Sequence, residues 1–73
     1  MGDTNWTRAG SAGDANDNAN WSANAPNSST RPVFSNSYSS QDCNWNISTP
    51  VDGINIDDTY AGTISLSTAM VLD

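Results

Sequence analysis

The 73-residue sequence contains no histidine, lysine or glutamate, and its only cysteine is Cys43. General acid–base chemistry is therefore restricted to aspartate, tyrosine and one thiol. Cys43 has no histidine in the chain to activate it as a nucleophile and no second cysteine with which to form an intrachain disulfide. We therefore expect a protein without catalytic residues or cofactors, which is not an enzyme, and we interpret Cys43 as a small buried hydrophobic residue.

Positive charge is also scarce, because Arg8 and Arg31 are the only cations beside eight aspartates, and the net charge is −6 at pH 7. Binding to nucleic acid needs a Lys/Arg patch that releases phosphate counterions, and anionic membranes also attract basic segments. We therefore expect neither nucleic acid nor membrane as a partner, which leaves other protein subunits. Arg8 and Arg31 are candidates for ion pairs with acidic neighbours.

The N-terminus lacks the basic and apolar regions of a secretory signal peptide. If the protein acts outside a cell, release by lysis, as for a virus particle, is one route.

The residues that are abundant are ten Asn, eleven Ser, seven Thr and five Gly. These residues favour turns, caps and loops over helix interiors. A domain of this size buries only about 60% of its unfolded surface, so small domains without disulfides often rely on oligomerisation. The composition predicts a mostly β protein of short strands and long coil, completed by neighbouring subunits.

The sequence divides near residue 43. Residues 1–42 are rich in Asn and Ser and poor in large apolar residues, which predicts an extended, coil-rich N-terminal arm. Residues 43–73 show the alternation of apolar and polar residues that is typical of strands, which predicts a short β-strand unit. The predicted strands lie at 44–48, 54–56 and 63–67, and 69–72 is a candidate fourth strand. The spacing favours a small β-sandwich or one to two β-solenoid coils.

Each tryptophan follows an asparagine, at positions 5–6, 20–21 and 44–45. One interpretation is that each ring anchors a loop by packing while the asparagine caps a turn. The other is that the rings form an exposed platform on which a glycan stacks.

Asp14, Asn16 and Asn18 place oxygen-bearing side chains at alternate positions, as the first half of an EF-hand loop does. These are candidate Ca²⁺ ligands. However, Ala19 stands where such a loop has glycine, and Ala25 where it has a bidentate glutamate. The alternative is a turn in which Asx side chains bond to their own backbone.

From about residue 20 onward, the order of features resembles the N-terminal segment of secreted bacterial and phage β-solenoid proteins. The resemblance is carried by Asn20-Trp21-Ser22, Pro26, Val33-Phe34, Cys43-Asn44-Trp45-Asn46-Ile47, Gly53-Ile54-Asn55-Ile56 and Tyr60-Ala61-Gly62-Thr63-Ile64-Ser65-Leu66. The aspartate that usually precedes the Val/Phe strand is absent. The further coils that typically follow are also absent, so the chain is either a fragment or a minimal unit whose open sheet edge a neighbour covers. The resemblance implies a structural or host-contact role and transfers no catalytic residue.

Together these features predict a virion structural protein, namely a phage capsid decoration or cement subunit located in the extracellular particle. Its predicted partners are copies of the chain, a major capsid protein, or both. Its interface residues are predicted to be apolar anchors, strand residues and the two cations: Trp6, Trp21, Val33, Phe34, Trp45, Ile54, Ile56, Ile64, Leu66, Arg8 and Arg31. The alternatives are a glycan-binding adhesin or tail-fibre module, and a subunit of an extracellular filament.

Overall fold

The computed structural model of the protein describes residues 2–73. It contains five short strands and one 3-10 turn: β1 (Gly2–Asn5), the turn (Asn18–Asn20), β2 (Thr30–Phe34), β3 (Cys43–Trp45), β4 (Asn55–Ile56) and β5 (Ile64–Leu66). The prediction of a mostly β protein with short strands and long coil is confirmed. No helix in these residues is long and apolar enough to cross a membrane.

The strands form two small sheets, ordered β1-β2-β4 and β3-β5, and every pairing between them is parallel. Parallel partners require a crossover connection, so the chain makes a full circuit before it returns to the same sheet. We divide it into coil 1 (2–29), coil 2 (30–52) and coil 3 (53–73), with coil 2 in the middle of the stack. The arrangement is that of solenoid coils, whereas the strands of a β-sandwich are mostly antiparallel.

The register aligns each coil with the one before it. Phe34 lies beside Ile56 and Trp45 beside Leu66, and an isolated parallel bridge joins Val51 to Leu72. Aligned residues of parallel strands point to the same side of the sheet. Each pair therefore continues one interior column of side chains from coil 2 into coil 3.

The core is built around an aromatic cluster. The ring centroids of Trp6 and Trp21 are 5.0 Å apart, and Phe34 lies 6.0 Å from Trp6 and 5.6 Å from Trp21. Trp45 and Val51 belong to the same buried cluster. The first 42 residues thus do not form an extended arm separate from the rest, because their few large rings converge on one core with residues from beyond position 43.

The strands observed after residue 42 fall within or beside the predicted ones, at β3, β4 and β5. The possible fourth strand at 69–72 is reduced to the single bridge at Leu72. β1 was not predicted, since Gly2–Asn5 has no apolar alternation and is held by its pairing with β2.

Candidate protein-docking face

Large apolar side chains are exposed in coil 3 at positions that are interior in coil 2. Ile56, Leu66 and Leu72 are 54%, 59% and 52% exposed, although their aligned partners Phe34, Trp45 and Val51 are fully buried. Leu66 lies beside a completely enclosed indole and yet faces solvent. The three residues therefore occupy core positions at the end of the stack.

The backbone at this end is also available for pairing. β4 pairs with β2, and β5 pairs with β3; within residues 2–73 neither strand has a second neighbour. An edge strand presents unpaired N–H and C=O groups, which are a template for a further strand. We call Ile56, Leu66, Leu72 and the outer edges of β4 and β5 the open face.

The opposite end of the stack is closed by residues 20–25, which we call the cap segment. Ser22 N donates to Asn5 O, and Asn5 N donates to Ser22 Oγ, both at 2.9 Å. Thr4 Oγ1 donates to Asn24 O at 2.7 Å and accepts from Ala23 N at 3.1 Å. The outer edge of β1 is thus occupied at Thr4 and Asn5 by the chain's own backbone and side chains.

The cap segment also covers the first column of the core. An isolated antiparallel bridge joins Trp6 to Trp21, and the two rings pack edge to face. Asn24 completes the turn at φ 68°, a left-handed conformation that asparagine tolerates better than most residues. One end of the stack is therefore finished, and the other presents core residues to solvent.

Asn20 anchors the cap segment to the preceding loop. Its side chain is fully buried; Oδ1 accepts from Gly10 N at 2.8 Å, and Nδ2 donates to Ala12 O at 2.7 Å and to Asp14 O at 2.9 Å. A Cβ at Gly10 would lie 2.8 Å from Asn20 Oδ1, so the close approach requires glycine there. This role of Asn20 was not predicted, and the one signal for it in the sequence was the repeated Asn-Trp pair.

The charge is concentrated on the coil that bears the open face. Coil 3 carries Asp57, Asp58 and Asp73 and no cation, which accounts for half of the net charge of −6. Asp57 Oδ1 accepts from Thr59 N, and this bond is the largest of the causes that lower the pKa of the Asp57 carboxyl. The carboxylate beside Ile56 is consequently stabilised in its charged form.

Both arginines make contacts within the chain. Arg31 Nε and Nη2 donate to the two carboxylate oxygens of Asp3, at 3.1 and 3.2 Å. Arg8 adopts φ 55°, and its Nη1 donates to Gly10 O at 2.6 Å. Both guanidinium groups predicted to pair with acidic neighbours are therefore engaged by residues of coil 1.

Most of the predicted apolar anchors lie inside the molecule. This holds for five of them: Trp6, Trp21, Val33, Phe34 and Trp45. Their prediction as contacts to a neighbour is corrected, because they pack against one another and against the rest of the chain.

Among the remaining predicted contacts, Ile54 and Ile64 are half-buried against the core, and Ile56 and Leu66 form part of the open face. Leu72 belongs with them and was missed, since one isolated residue near the end of the chain shows no alternation.

The tryptophans do not form a glycan platform in this structure. The Trp6 and Trp21 indoles donate to Gln41 O at 3.0 Å and to Ala15 O at 2.7 Å, whereas the buried Trp45 Nε1 has no hydrogen-bond partner among residues 2–73. The rings are buried, as the packing interpretation expected. Of the asparagines that precede them, Asn20 lies in the 3-10 turn, but Asn5 and Asn44 lie in strands.

The candidate calcium ligands make contacts in different directions. Asp14 Oδ1 accepts from Asn44 Nδ2 at 3.0 Å, whereas Asn18 Oδ1 accepts from Ala25 N at 2.9 Å. Asn16 is exposed and donates its backbone N–H to Asn46 Oδ1 at 2.9 Å. Asp17, between them, accepts from Ala19 N and caps the 3-10 turn.

Cys43 is buried in the core. Burial, with a smaller contribution from the nearby charge of Asp14, raises the pKa of its thiol to about 12. The thiol is therefore protonated at neutral pH and is a poor nucleophile.

Comparison of the chain with protein-family models, curated proteins and solved structures gave no match. The open face is accordingly interpreted from its own geometry.

Proposed function

We propose that the protein is a structural subunit that attaches to a larger protein assembly through its open face, as a decoration or cement subunit attaches to a phage capsid. The observation that supports this is the alignment of exposed Ile56, Leu66 and Leu72 with buried Phe34, Trp45 and Val51. Solvent-exposed core positions beside unpaired strand edges are suited to being covered by another chain.

The apolar part of the face supplies a moderate driving force. Full burial of one Ile or Leu side chain contributes about 1.5–3 kcal/mol, so covering three half-exposed side chains contributes roughly 2–4 kcal/mol. Association costs at least about 4 kcal/mol in lost translational and rotational freedom. Attachment therefore also needs strand pairing along β4 and β5, a mode in which backbone hydrogen bonds provide affinity and side-chain pockets provide specificity.

The asymmetry of the stack favours a subunit that attaches by one end. The cap segment occupies the outer edge of β1, so a copy of the chain cannot add its open face to coil 1 without displacing that segment. This argues against a head-to-tail filament. In the attached state the cap segment faces away from the lattice, and the contact runs through coil 3 instead of an N-terminal arm.

The test is reattachment to particles purified from the source of the protein. Mass spectrometry and electron microscopy establish whether the chain is present in the particle. Particles stripped of the chain are then incubated with wild type, Leu66→Asp or Ser65→Asp. Ser65 is the matched control because it is exposed in the same strand and pairs with Asn44, on the opposite side of the sheet from Leu66.

We expect wild type and Ser65→Asp to rebind and Leu66→Asp to remain in solution, with all three folded by circular dichroism. The proposal is wrong if the particles do not contain the chain, or if Leu66→Asp rebinds as wild type does.

A further inference from the structure

The geometry and charge of the open face indicate what kind of chain binds there. The inference below concerns the same face and therefore rests on the proposed function. We infer that the face takes a coil of a different protein chain. That coil supplies short parallel strands with apolar residues at the inward positions and lysine or arginine beside them.

The strand geometry sets the form of the partner. Coil 3 adds to coil 2 through two aligned residue pairs in one sheet and three in the other. Both sheets are parallel, so a chain that continues the stack offers two short strands of the same direction. A single extended peptide reaches only one of the two edges.

The three interior columns define the side chains of the partner. Each column ends in coil 3 on an aliphatic residue, namely Ile56, Leu66 or Leu72. A partner must place one apolar residue above each of them, since a polar group buried there would have no hydrogen-bond donor or acceptor from these side chains.

The charge around the face determines which chains fit. Asp57 follows Ile56 directly, and Asp73 follows Leu72 directly. Adjacent strands lie about 4.8 Å apart. A partner residue aligned with either aspartate therefore lies close to a carboxylate, and a cation is favoured there whereas an acidic residue is repelled.

A second copy of the chain is a poor occupant for two reasons. Two open faces brought together would place Asp57, Asp58 and Asp73 of each copy around one interface that contains no cation from coil 3. The alternative contact, open face onto coil 1, is obstructed by the cap segment. The charge of coil 3 and the cap segment therefore favour a coil with a basic rim over a second copy of the chain.

Two synthetic peptides test this chemistry. Both correspond to residues 53–73, because coil 3 already pairs in parallel with coil 2 and is the nearest available surrogate for a following coil. The aspartate peptide keeps the natural sequence. The lysine peptide carries Asp57→Lys, Asp58→Lys and Asp73→Lys, so its apolar residues are unchanged.

Binding of each fluorescently labelled peptide to the intact chain is measured by anisotropy at low and high salt. Three exposed charge contacts predict about tenfold tighter binding of the lysine peptide at low salt. The difference should shrink as salt screens the rim. Leu66→Asp in the chain should abolish binding, and Ser65→Asp should retain it.

Equal affinity for the two peptides, or binding of neither, overturns the inference. So does sedimentation of the chain alone as a dimer that Leu66→Asp dissociates, because the occupant is then a second copy. If the particles rebind the chain but the peptides do not differ, the function stands and the partner chemistry is wrong. If the lysine peptide is preferred and the particles lack the chain, the docking chemistry stands and the assignment to a particle is wrong.

Discussion

The buried side chain of Asn20 should be the most sensitive polar position in the molecule. Asn20→Ala removes the acceptor of Gly10 N and the donor to two carbonyls, those of Ala12 and Asp14. The matched control is Asn18→Ala in the same 3-10 turn, because the exposed Asn18 side chain makes one bond, to Ala25 N.

The expected loss follows from the number of bonds. A typical hydrogen bond contributes a net 0.5–1.5 kcal/mol to stability. Asn20→Ala removes three bonds to a buried side chain, so it should lower the free energy of unfolding by about 2–4 kcal/mol. Asn18→Ala removes one exposed bond, so it should lower the free energy of unfolding by no more than about 1 kcal/mol. At about 4–8 °C per kcal/mol for a domain of this size, Asn20→Ala should lower Tm by roughly 10–30 °C.

The assay is urea denaturation followed by tryptophan fluorescence, with thermal unfolding by circular dichroism as a second measurement. Asn20→Asp provides a further test, because it keeps the shape but directs a carboxylate at two carbonyls. We expect it to be at least as destabilising as Asn20→Ala at pH 7. If the free energies of unfolding of Asn20→Ala and Asn18→Ala differ by less than about 0.5 kcal/mol, the reasoning from buried hydrogen bonds is refuted.

Three further predictions concern single side chains. The Cys43 thiol, with its pKa of about 12 against an ordinary 9.0, should react with a thiol reagent on the order of a thousandfold more slowly in the native protein than in denaturant; fast native labelling would contradict its burial. The pKa of Tyr60 is raised to about 12, mainly by burial, and its hydroxyl donates to Gln41 O at 2.7 Å. The fold therefore favours the neutral phenol, so stability should be retained below pH 10 and decline between pH 10 and 12. Tyr60→Phe should make this decline shallower, and an unchanged slope in denaturation curves would argue against the assignment. Val51→Ala should lower the free energy of unfolding by about 2 kcal/mol because Val51 is fully buried. Leu72→Ala should lower it by less than about 1 kcal/mol, although leucine is larger, because Leu72 is half exposed. Urea denaturation measures both losses, and equal losses would show that coil 3 does not end the stack in solution.

The composition was sufficient to predict the fold class. Few good helix formers and many turn residues correctly indicated short strands, and alternation located β3, β4 and β5 to within three residues. Alternation reports the two faces of a strand, and it selected Ile56 and Leu66 for that reason. It could not report which coil lies beside which, because the register of parallel strands is not fixed by a connecting turn.

The aromatic core was the main feature that local reasoning could not reach. Trp6, Trp21 and Phe34 are separated by long polar stretches, and counting apolar residues in a window makes such stretches look unable to order. The rings meet because the chain returns to the same sheet after a full circuit. The burial of Asn20 likewise depends on this return, since its partners lie in the loop that precedes it.

The spacing of the parallel pairs has a consequence for how quickly the protein folds. Strand partners lie 28 residues apart at Gly2 and Thr30, 22 apart at Val33 and Asn55, and 21 apart at Cys43 and Ile64. No two of these strands form a local hairpin, so chain entropy for closing loops of this length is lost before any sheet contact forms. Such topologies fold in milliseconds to seconds, orders of magnitude more slowly than helical chains of equal length. During that interval the apolar side chains of coil 3 and the aromatic rings are exposed together, and aggregation competes most strongly with folding.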